Sequence, residues 1–245
     1  MLTQYRILFA RDAGAEPRPE WSYCLYAALL DHAPPAFAGE VHGAMTTPIS
    51  QFLRADENGQ LIWTVNLLGS PSEAALSGYL DDVRSVFLNR ERVALRVLRK
   101  SQRSIPDVET LLSMADGESD SRALHFLTPT AFKSRERYRN LPENRLILQS
   151  LIKKWNGCIF DCPIEDEDGH GVEAMAEGLS CRHFQLQDRA YVIKGHEIPG
   201  FVGNLSLENH LRGFQRRLAD ALLLFADFAG VGIKTALGMG GVETS

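Results

Sequence analysis

Leu61–Leu68 reads LIWTVNLL, and a serine and a proline follow it at positions 70 and 71. Apolar, β-branched and aromatic residues fill this stretch, as is typical of a β-strand. Ser70 and Pro71 suit the N-cap and the first position of a helix. Apolar side chains then recur at helical spacing at positions 76, 80 and 83. The stretch therefore predicts a strand followed directly by a helix over residues 70–87.

The flanking segments extend this pattern over the first half of the chain. Residues 3–10 have the composition of a strand, and Trp21–Asp31 is predicted to be a helix that stops before two prolines and is followed by a loop. A weaker strand is predicted over residues 49–54 and a stronger one over residues 92–98. The resulting order, β-α-β-β-α-β, is that of a ferredoxin-like domain.

The same order repeats in coarse form after a short predicted helix at 104–114 and a polar linker at 116–121. Strands are predicted at 123–127, 189–194 and 200–205, helices at 143–155 and 207–228, and a last extended segment after them. Ser206 is the predicted N-cap of the last helix, and Gly230 its end. The sequence thus predicts an α+β protein of two tandem ferredoxin-like domains, residues 1–116 and 117–245, with a glycine-rich C-terminal loop.

Composition and charge are those of an ordinary globular protein of 245 residues, with 44% hydrophobic and 23% charged residues. The chain has no apolar stretch of membrane-spanning length and no signal pattern, so we expect a cytoplasmic protein without membrane contact. A net charge of −5 argues, by itself, against a nucleic-acid partner. Acidic residues, however, concentrate in 161–177, a predicted solvated loop, and basic residues in 133–154. The basic segment predicts a local cationic surface, or alternatively the solvent-facing charges of a helix and its leading loop.

A glycine-rich segment follows the last predicted helix and reads GVGIKTALGMGG over residues 230–241. Two Gly-apolar-Gly units with a lysine between them exceed what one helix cap requires. Glycines allow backbone amides to approach phosphate oxygens, and Lys234 adds a positive charge, so the segment suits a polyanion. The alternative is a bulged terminal strand packed tightly against a helix. A Walker phosphate loop is disfavoured because this lysine does not lead into a helix.

This segment resembles the C-terminal signature of the CRISPR-associated endoribonucleases numbered six among the Cas proteins, which belong to the RAMP superfamily. Three further stretches resemble the same family: FLTPTAFK at 126–133, Leu151 with Trp155 and Asn156, and PGFVG at 199–203. The resemblance covers the second half of the chain well and the first half only loosely.

The resemblance implies two ferredoxin-like domains and metal-independent cleavage of precursor CRISPR RNA within its repeats, with no cofactor. In such a reaction the 2'-hydroxyl attacks the neighbouring phosphate and leaves a 2',3'-cyclic phosphate and a 5'-hydroxyl. His42 matches the catalytic histidine of the family, and Tyr26 matches a tyrosine on its first helix. Histidine suits proton transfer because its reference pKa lies near neutrality. Where relatives often have a lysine, this chain has Thr46, Thr47 and Pro48. The role of that lysine must pass to Lys234, to another basic residue or to backbone amides.

The RNA-binding residues expected from the motif and the basic segments are Lys234, Gly230, Gly232, Gly238, Gly240, Lys133, Arg137 and Arg216. The expected partners are CRISPR repeat RNA, subunits of a CRISPR effector complex, and a second copy of the chain in a homodimer.

Other interpretations of the same residues stay open. The chain can be a non-cleaving RNA-binding subunit of an effector complex. His42 can be an exposed loop histidine, and Tyr26 a core residue. A zinc site formed from Cys158, Cys162, His170, Cys181 and His183 is disfavoured because the spacings are irregular.

Overall fold

The structure is a computed structural model that describes residues 2–10, 18, 20–56, 58–116, 121–159 and 161–245. The first half folds into an antiparallel sheet of five strands. They are β1 (Leu2–Phe9), β2 (Ile49–Ala55), β3 (Leu61–Leu68), β4 (Ser85–Leu88) and β5 (Val93–Ile105), in the spatial order β2-β3-β1-β5-β4. Without the edge strand β4, this is the strand order that a ferredoxin-like β-α-β-β-α-β chain produces.

Helices cover one face of this sheet. They are α1 (Trp21–Asp31), α2 (Pro35–Gly43) and α3 (Ser70–Asp82). Alternate side chains of β1 point toward them, because successive residues of a strand face opposite sides. Tyr5, Ile7 and Phe9 are accordingly buried in one core with Trp63 and with apolar residues from all three helices.

Three details of the first half differ from the sequence prediction. The segment after α1 is a second helix, because Pro35 occupies the start of a helix, where proline is favoured. The helix predicted over 70–87 ends at Asp82 and is followed by β4. The helix predicted over 104–114 is α4 (Val108–Ala115), since β5 continues to Ile105 and Asp107 caps the helix by accepting from Thr110 N at 2.7 Å.

The second half builds another antiparallel sheet. In chain order it contains β6 (Ser121–Thr130), β7 (Phe132–Ser134), β8 (Arg137–Arg139), α5 (Asn144–Asn156), α6 (His170–Glu177), β9 (Leu179–Asp188), β10 (Tyr191–Ile193), β11 (His196–Ile198), β12 (Phe201–Asn209), α7 (Gly213–Ala229) and β13 (Val242–Thr244). The sheet has the order β13-β6-β12-β9. This repeats the ferredoxin-like order, so the predicted pair of ferredoxin-like units is confirmed. The predicted boundary at 116/117 adjoins residues 117–120, which lie outside the described residues, and it stays a prediction.

One predicted strand, one predicted cap and one predicted loop in this half differ from the structure. The second sheet strand is β9, whereas the segment predicted at 189–194 forms the small β10–β11 hairpin. Ser206 lies inside β12, so it does not cap the last helix, which begins at Gly213. The predicted acidic loop also contains α6, whose first turn donates from Gly171 N and Val172 N to the carboxylate of Asp166.

The C-terminal end of α7 packs against the face of the first sheet that α1, α2 and α3 do not cover. Gln4 Nε2 donates to the carbonyl of Asp227 at 3.0 Å, and Arg103 Nη2 lies 2.7 Å from its carboxylate. Ser50 Oγ donates to the carbonyl of Phe228. The glycine-rich segment leaves α7 at this point, so the fold holds it between the two units. Among the described residues, no helix is both long and apolar enough to span a membrane.

Candidate functional site

A cleft of about 700 Å³ lies where the two units meet the glycine-rich segment. Its walls come from α1, from residues 45–47 after α2, from the β7–β8 hairpin, from α5 and from residues 232–237. Five cationic residues line it, against the single acidic residue Glu136; they are Lys133, Arg135, Lys153, Lys154 and Lys234. A recess lined by one sign of charge concentrates ions of the opposite sign. The cleft therefore suits a polyanion, although the whole chain is acidic.

The glycine-rich loop, residues 230–241, has the backbone conformations that only glycine adopts freely. Gly232 has a φ of +84°, and a Cβ there would lie 2.2 Å from the carbonyl oxygen of Ala131. Gly240 has a φ of +66°, and a Cβ there would lie 2.1 Å from the carbonyl oxygen of Val231. The spacing of these glycines therefore reflects a left-handed backbone packed against other backbone.

Several glycine amides of the loop have protein acceptors. Gly230 N donates to Ala226 O at 2.9 Å, Gly232 N to Ser150 Oγ at 3.1 Å, and Gly240 N to Pro129 O at 3.0 Å. These glycines thus shape the loop through close backbone packing, although the segment is not the bulged strand of the alternative interpretation, since the strand β13 begins only at Val242. The cation that the loop presents is Lys234, which is exposed at the cleft with a left-handed φ of 55°.

Side chains from both units fasten the short 3-10 helix of the loop, Thr235–Leu237. Gln51 Nε2 donates to Ala236 O at 2.8 Å, and Tyr191 Oη donates to Leu237 O at 2.7 Å. Lys154 Nζ donates to Thr235 Oγ1 and to Ile49 O, both at 3.1 Å. The loop is consequently held in one place relative to the cleft, which fixes the position of Lys234.

Tyr26 projects from α1 into the cleft and is half-buried. Burial raises the pKa of the Tyr26 hydroxyl above its ordinary value, and a hydrogen bond with the Thr47 side chain opposes this in part. The phenol therefore stays protonated near neutral pH. It can donate a hydrogen bond to a bound group, but it is a poor proton acceptor.

His42 lies in the last turn of α2 and is exposed. Its Nδ1 is 2.8 Å from the carbonyl oxygen of Ala38, which leaves Nε2 facing away from that contact. His42 is not among the residues that line the cleft, although Met45, three residues later, is. His32, the C-cap residue of α1, is differently placed: its ring stacks on Tyr79 with centroids 4.1 Å apart.

The remaining basic residues predicted from sequence fall in two places. Lys133 lines the cleft, and its Nζ lies 2.6 Å from Glu136, which raises the pKa of the lysine. Arg137 is exposed on β8 of the same hairpin but does not line the cleft. Arg216 lies in α7, also outside the cleft lining, where Nε is 3.9 Å from the buried carboxylate of Asp220.

Lys154 is predicted from the sequence only as part of a basic segment, yet it is 9% exposed at the cleft. Its spacing contains a signal, because the buried residues Ile147 and Leu151 lie seven and three residues before it, on the same side of α5. A lysine within an apolar stripe predicts a buried ammonium. Burial lowers the pKa of Lys154 to about 8.

The zinc alternative has no geometric support. Cys158 is buried, while Cys162 and Cys181 are exposed. Within the described part of the chain, no three His, Cys, Asp or Glu side chains are grouped as a metal site would require.

Fold and cleft together define the class: two ferredoxin-like units with a glycine-rich loop between them. The family model for the CRISPR-associated endoribonuclease Cas6 matches residues 124–242. A Cas6 from Mycobacterium tuberculosis (strain CDC 1551 / Oshkosh) is 28% identical over 225 residues, which cover 89% of this chain and 70% of that protein. A Cas6 from Streptococcus thermophilus is 26% identical over 247 residues, covering 97% of each chain. A Cas6 solved as a product complex is 25% identical, with a TM-score of 0.79 and full coverage of both chains.

These similarities confirm the resemblance to CRISPR-associated endoribonucleases seen in the sequence, and the part of the chain that the Cas6 family model matches is residues 124–242.

Proposed function

We propose that this protein cuts precursor CRISPR RNA within its repeats, without a metal, through attack of a 2'-hydroxyl on the adjacent phosphate. The products are a 2',3'-cyclic phosphate and a 5'-hydroxyl. The observation on which the proposal depends is the cleft, which brings Tyr26 and the glycine-rich loop together with five cations. A phosphodiester backbone has the charge that this cleft attracts.

In this mechanism His42 handles the protons. It accepts the proton of the 2'-hydroxyl or donates one to the leaving 5'-oxygen, and its Nε2 is the ring nitrogen available for this because Nδ1 contacts Ala38. Tyr26 remains neutral and donates a hydrogen bond that orients the ribose or the phosphate. Lys234 at the rim provides a mobile cation for the strand. RNA that enters the cleft also passes α2, since residues 45–47 form part of its wall.

The β7–β8 hairpin supplies further phosphate contacts in the proposal. Lys133 faces the cleft and Arg137 is exposed beside it, on a turn in which Arg135 and Glu136 have left-handed φ values of 48° and 63°. Such contacts fix the register of the RNA and do not read its bases. Gly230, Gly232, Gly238 and Gly240 serve RNA binding by shaping the loop that presents Lys234. Arg216 neighbours Asp220 and lies outside the cleft lining, so in the proposal it contributes only to the electrostatic potential around the cleft.

The test is incubation of the purified protein with the repeat RNA of its own CRISPR array in excess chelator. Cleavage that leaves cyclic-phosphate ends supports the proposal. A matched RNA with a 2'-deoxy sugar at the cut site must bind equally well and stay intact, because it lacks the nucleophile. Cleavage that requires added metal, or that proceeds on the deoxy substrate, contradicts the mechanism.

The second candidate function is a non-cleaving RNA-binding subunit of a CRISPR effector complex. It is favoured by the absence of His42 from the residues that line the cleft. In the same experiment, tight binding of the repeat RNA without any cut identifies this function.

Association with effector subunits, self-association into a homodimer and a cytoplasmic location complete the proposal. Light scattering of the protein with and without its repeat RNA measures self-association directly.

A further inference from the structure

Lys154 is a buried ammonium whose two bonded partners in the described part of the chain are both neutral. They are the carbonyl oxygen of Ile49 and the hydroxyl of Thr235, each 3.1 Å from Nζ. An ammonium has three N–H donors, so one remains beyond these two bonds. Because Lys154 lines the cleft, that donor has access to whatever occupies it.

Burial of a cation without a counterion is unfavourable. The groups around Lys154 do not relieve this cost. Lys153 and Lys234 add positive charge, Tyr26 faces the cleft as a neutral phenol, and Cys158 stays protonated because burial raises the pKa of its thiol to about 11.

Among the described residues that line the cleft, the one carboxylate has another partner. Glu136 lies on the exposed β7–β8 turn, where its side chain is 89% accessible and bonds Lys133 at 2.6 Å. The described residues around Lys154 therefore include no free anion, although the cleft that they line suits one.

We propose that Lys154 contacts the phosphate at which the RNA is cut, and that this phosphate is its counterion. The proposal rests on the proposed function and names the residue that stabilises the charge developing on the phosphate oxygens. Tyr26 lines the same cleft as Lys154. A preorganised cation inside a partly dehydrated site stabilises such charge more strongly than an exposed cation does.

The direct test is the titration of the Lys154 side chain by NMR, using lysine labelled at Cε, with and without repeat RNA that has a 2'-deoxy sugar at the cut site. A phosphate in contact with Nζ raises the pKa of Lys154 above its value in the free protein by about one unit or more. Lys153, the exposed neighbour on α5, is the internal control and shifts less. An unchanged pKa of Lys154 in RNA-bound protein overturns the proposal, whatever the behaviour of any variant.

The kinetic test compares Lys154→Met with two matched variants under single-turnover conditions. Lys153→Met removes the same charge from the same helix at an exposed site, and Thr235→Val removes the loop contact of Lys154 while its charge remains. We expect Lys154→Met to lower the cleavage rate about 100-fold, with a change in RNA affinity of less than about 10-fold, and the other two to lower the rate only a few-fold.

Two results overturn the assignment to the cut phosphate: a Lys154→Met rate equal to that of Lys153→Met, or a Thr235→Val rate as low as that of Lys154→Met. The second would mean that Lys154 acts only by holding the loop. Failure of the proposed function is distinguishable, because in that case the unaltered protein itself leaves the repeat RNA uncut.

Discussion

Gly232→Ala should destabilise the protein by about 2–3 kcal/mol, a value that follows from two contributions at this position. A residue with a Cβ pays about 1–2 kcal/mol to adopt a left-handed φ, and Gly232 has a φ of +84°. The new Cβ would also lie 2.2 Å from Ala131 O, which accepts from Ile233 N at 3.0 Å. Relief of this clash weakens that bond or the one from Gly232 N to Ser150 Oγ, at about 1 kcal/mol for each bond lost.

Urea denaturation followed by tryptophan fluorescence measures the free energy of unfolding. A binding assay with uncleavable repeat RNA measures whether the altered loop still binds RNA with normal affinity. Gly78→Ala is the matched control, because Gly78 is exposed in α3 and a Cβ added there would have no other atom within 4 Å. The control should gain about 0.5–1 kcal/mol from helix propensity and keep its RNA affinity. If Gly232→Ala unfolds within about 1 kcal/mol of the unaltered protein and binds RNA normally, the loop does not depend on a glycine backbone at this position, and the reasoning is refuted.

Three other variants or conditions probe the cleft. His42→Ala should slow cleavage by about 100-fold or more with little loss of affinity, whereas His32→Ala, whose ring also meets the carbonyl four residues earlier, should cut at nearly the normal rate; equal rates for the two would place proton transfer elsewhere. Lys234→Ala should weaken RNA binding and lower the slope of log affinity against log salt by about one, in a titration of salt concentration; an unchanged slope means that Lys234 does not contact a phosphate. Free protein should gain about 1 kcal/mol of stability between pH 8 and pH 9 through Lys154, because its pKa falls from 10.5 in the unfolded chain to about 8 in the fold. In this window the folded protein loses the proton that the unfolded chain retains. The cost of the buried charge, which is present in full only well below pH 8, is therefore relieved as the pH rises. Denaturation of Lys154→Met over the same range should lack this gain.

The elements that the sequence predicts best are those with a strong local signal. β3 has the bounds expected from LIWTVNLL, because its apolar composition and the Ser70-Pro71 start of α3 both mark them. α1 likewise has the predicted bounds. The sequence does not predict α2, because the pair Pro34 and Pro35 is equally compatible with the end of one helix and the start of another. β9 escapes it because most of its residues are exposed, so the alternation that identifies a half-buried strand is absent.

The candidate site follows the same rule. The glycine-rich loop is recognisable in the sequence because its residues are contiguous. The role of Lys154 at the cleft is not recognisable, since it depends on a contact with the carbonyl of Ile49, more than 100 residues earlier in the chain. That contact lies directly after Thr46, Thr47 and Pro48, where the family resemblance leads one to expect a lysine. Local spacing can indicate that such a lysine is buried, but it does not identify the residue of the other unit that the lysine contacts.

The place of β13 in the second sheet has a consequence for synthesis on the ribosome. β13 pairs with β6, whose residues 124–126 are made more than 100 residues earlier, and it follows the glycine-rich loop directly. All five strands of the first sheet have been translated by Ile105, so that unit can form while the second is still incomplete. Until α7 has been made, the face of the first sheet around Gln4 and Ser50 stays uncovered in the nascent chain. The cleft is complete only at the end of translation, because residues 232–237 form part of its wall.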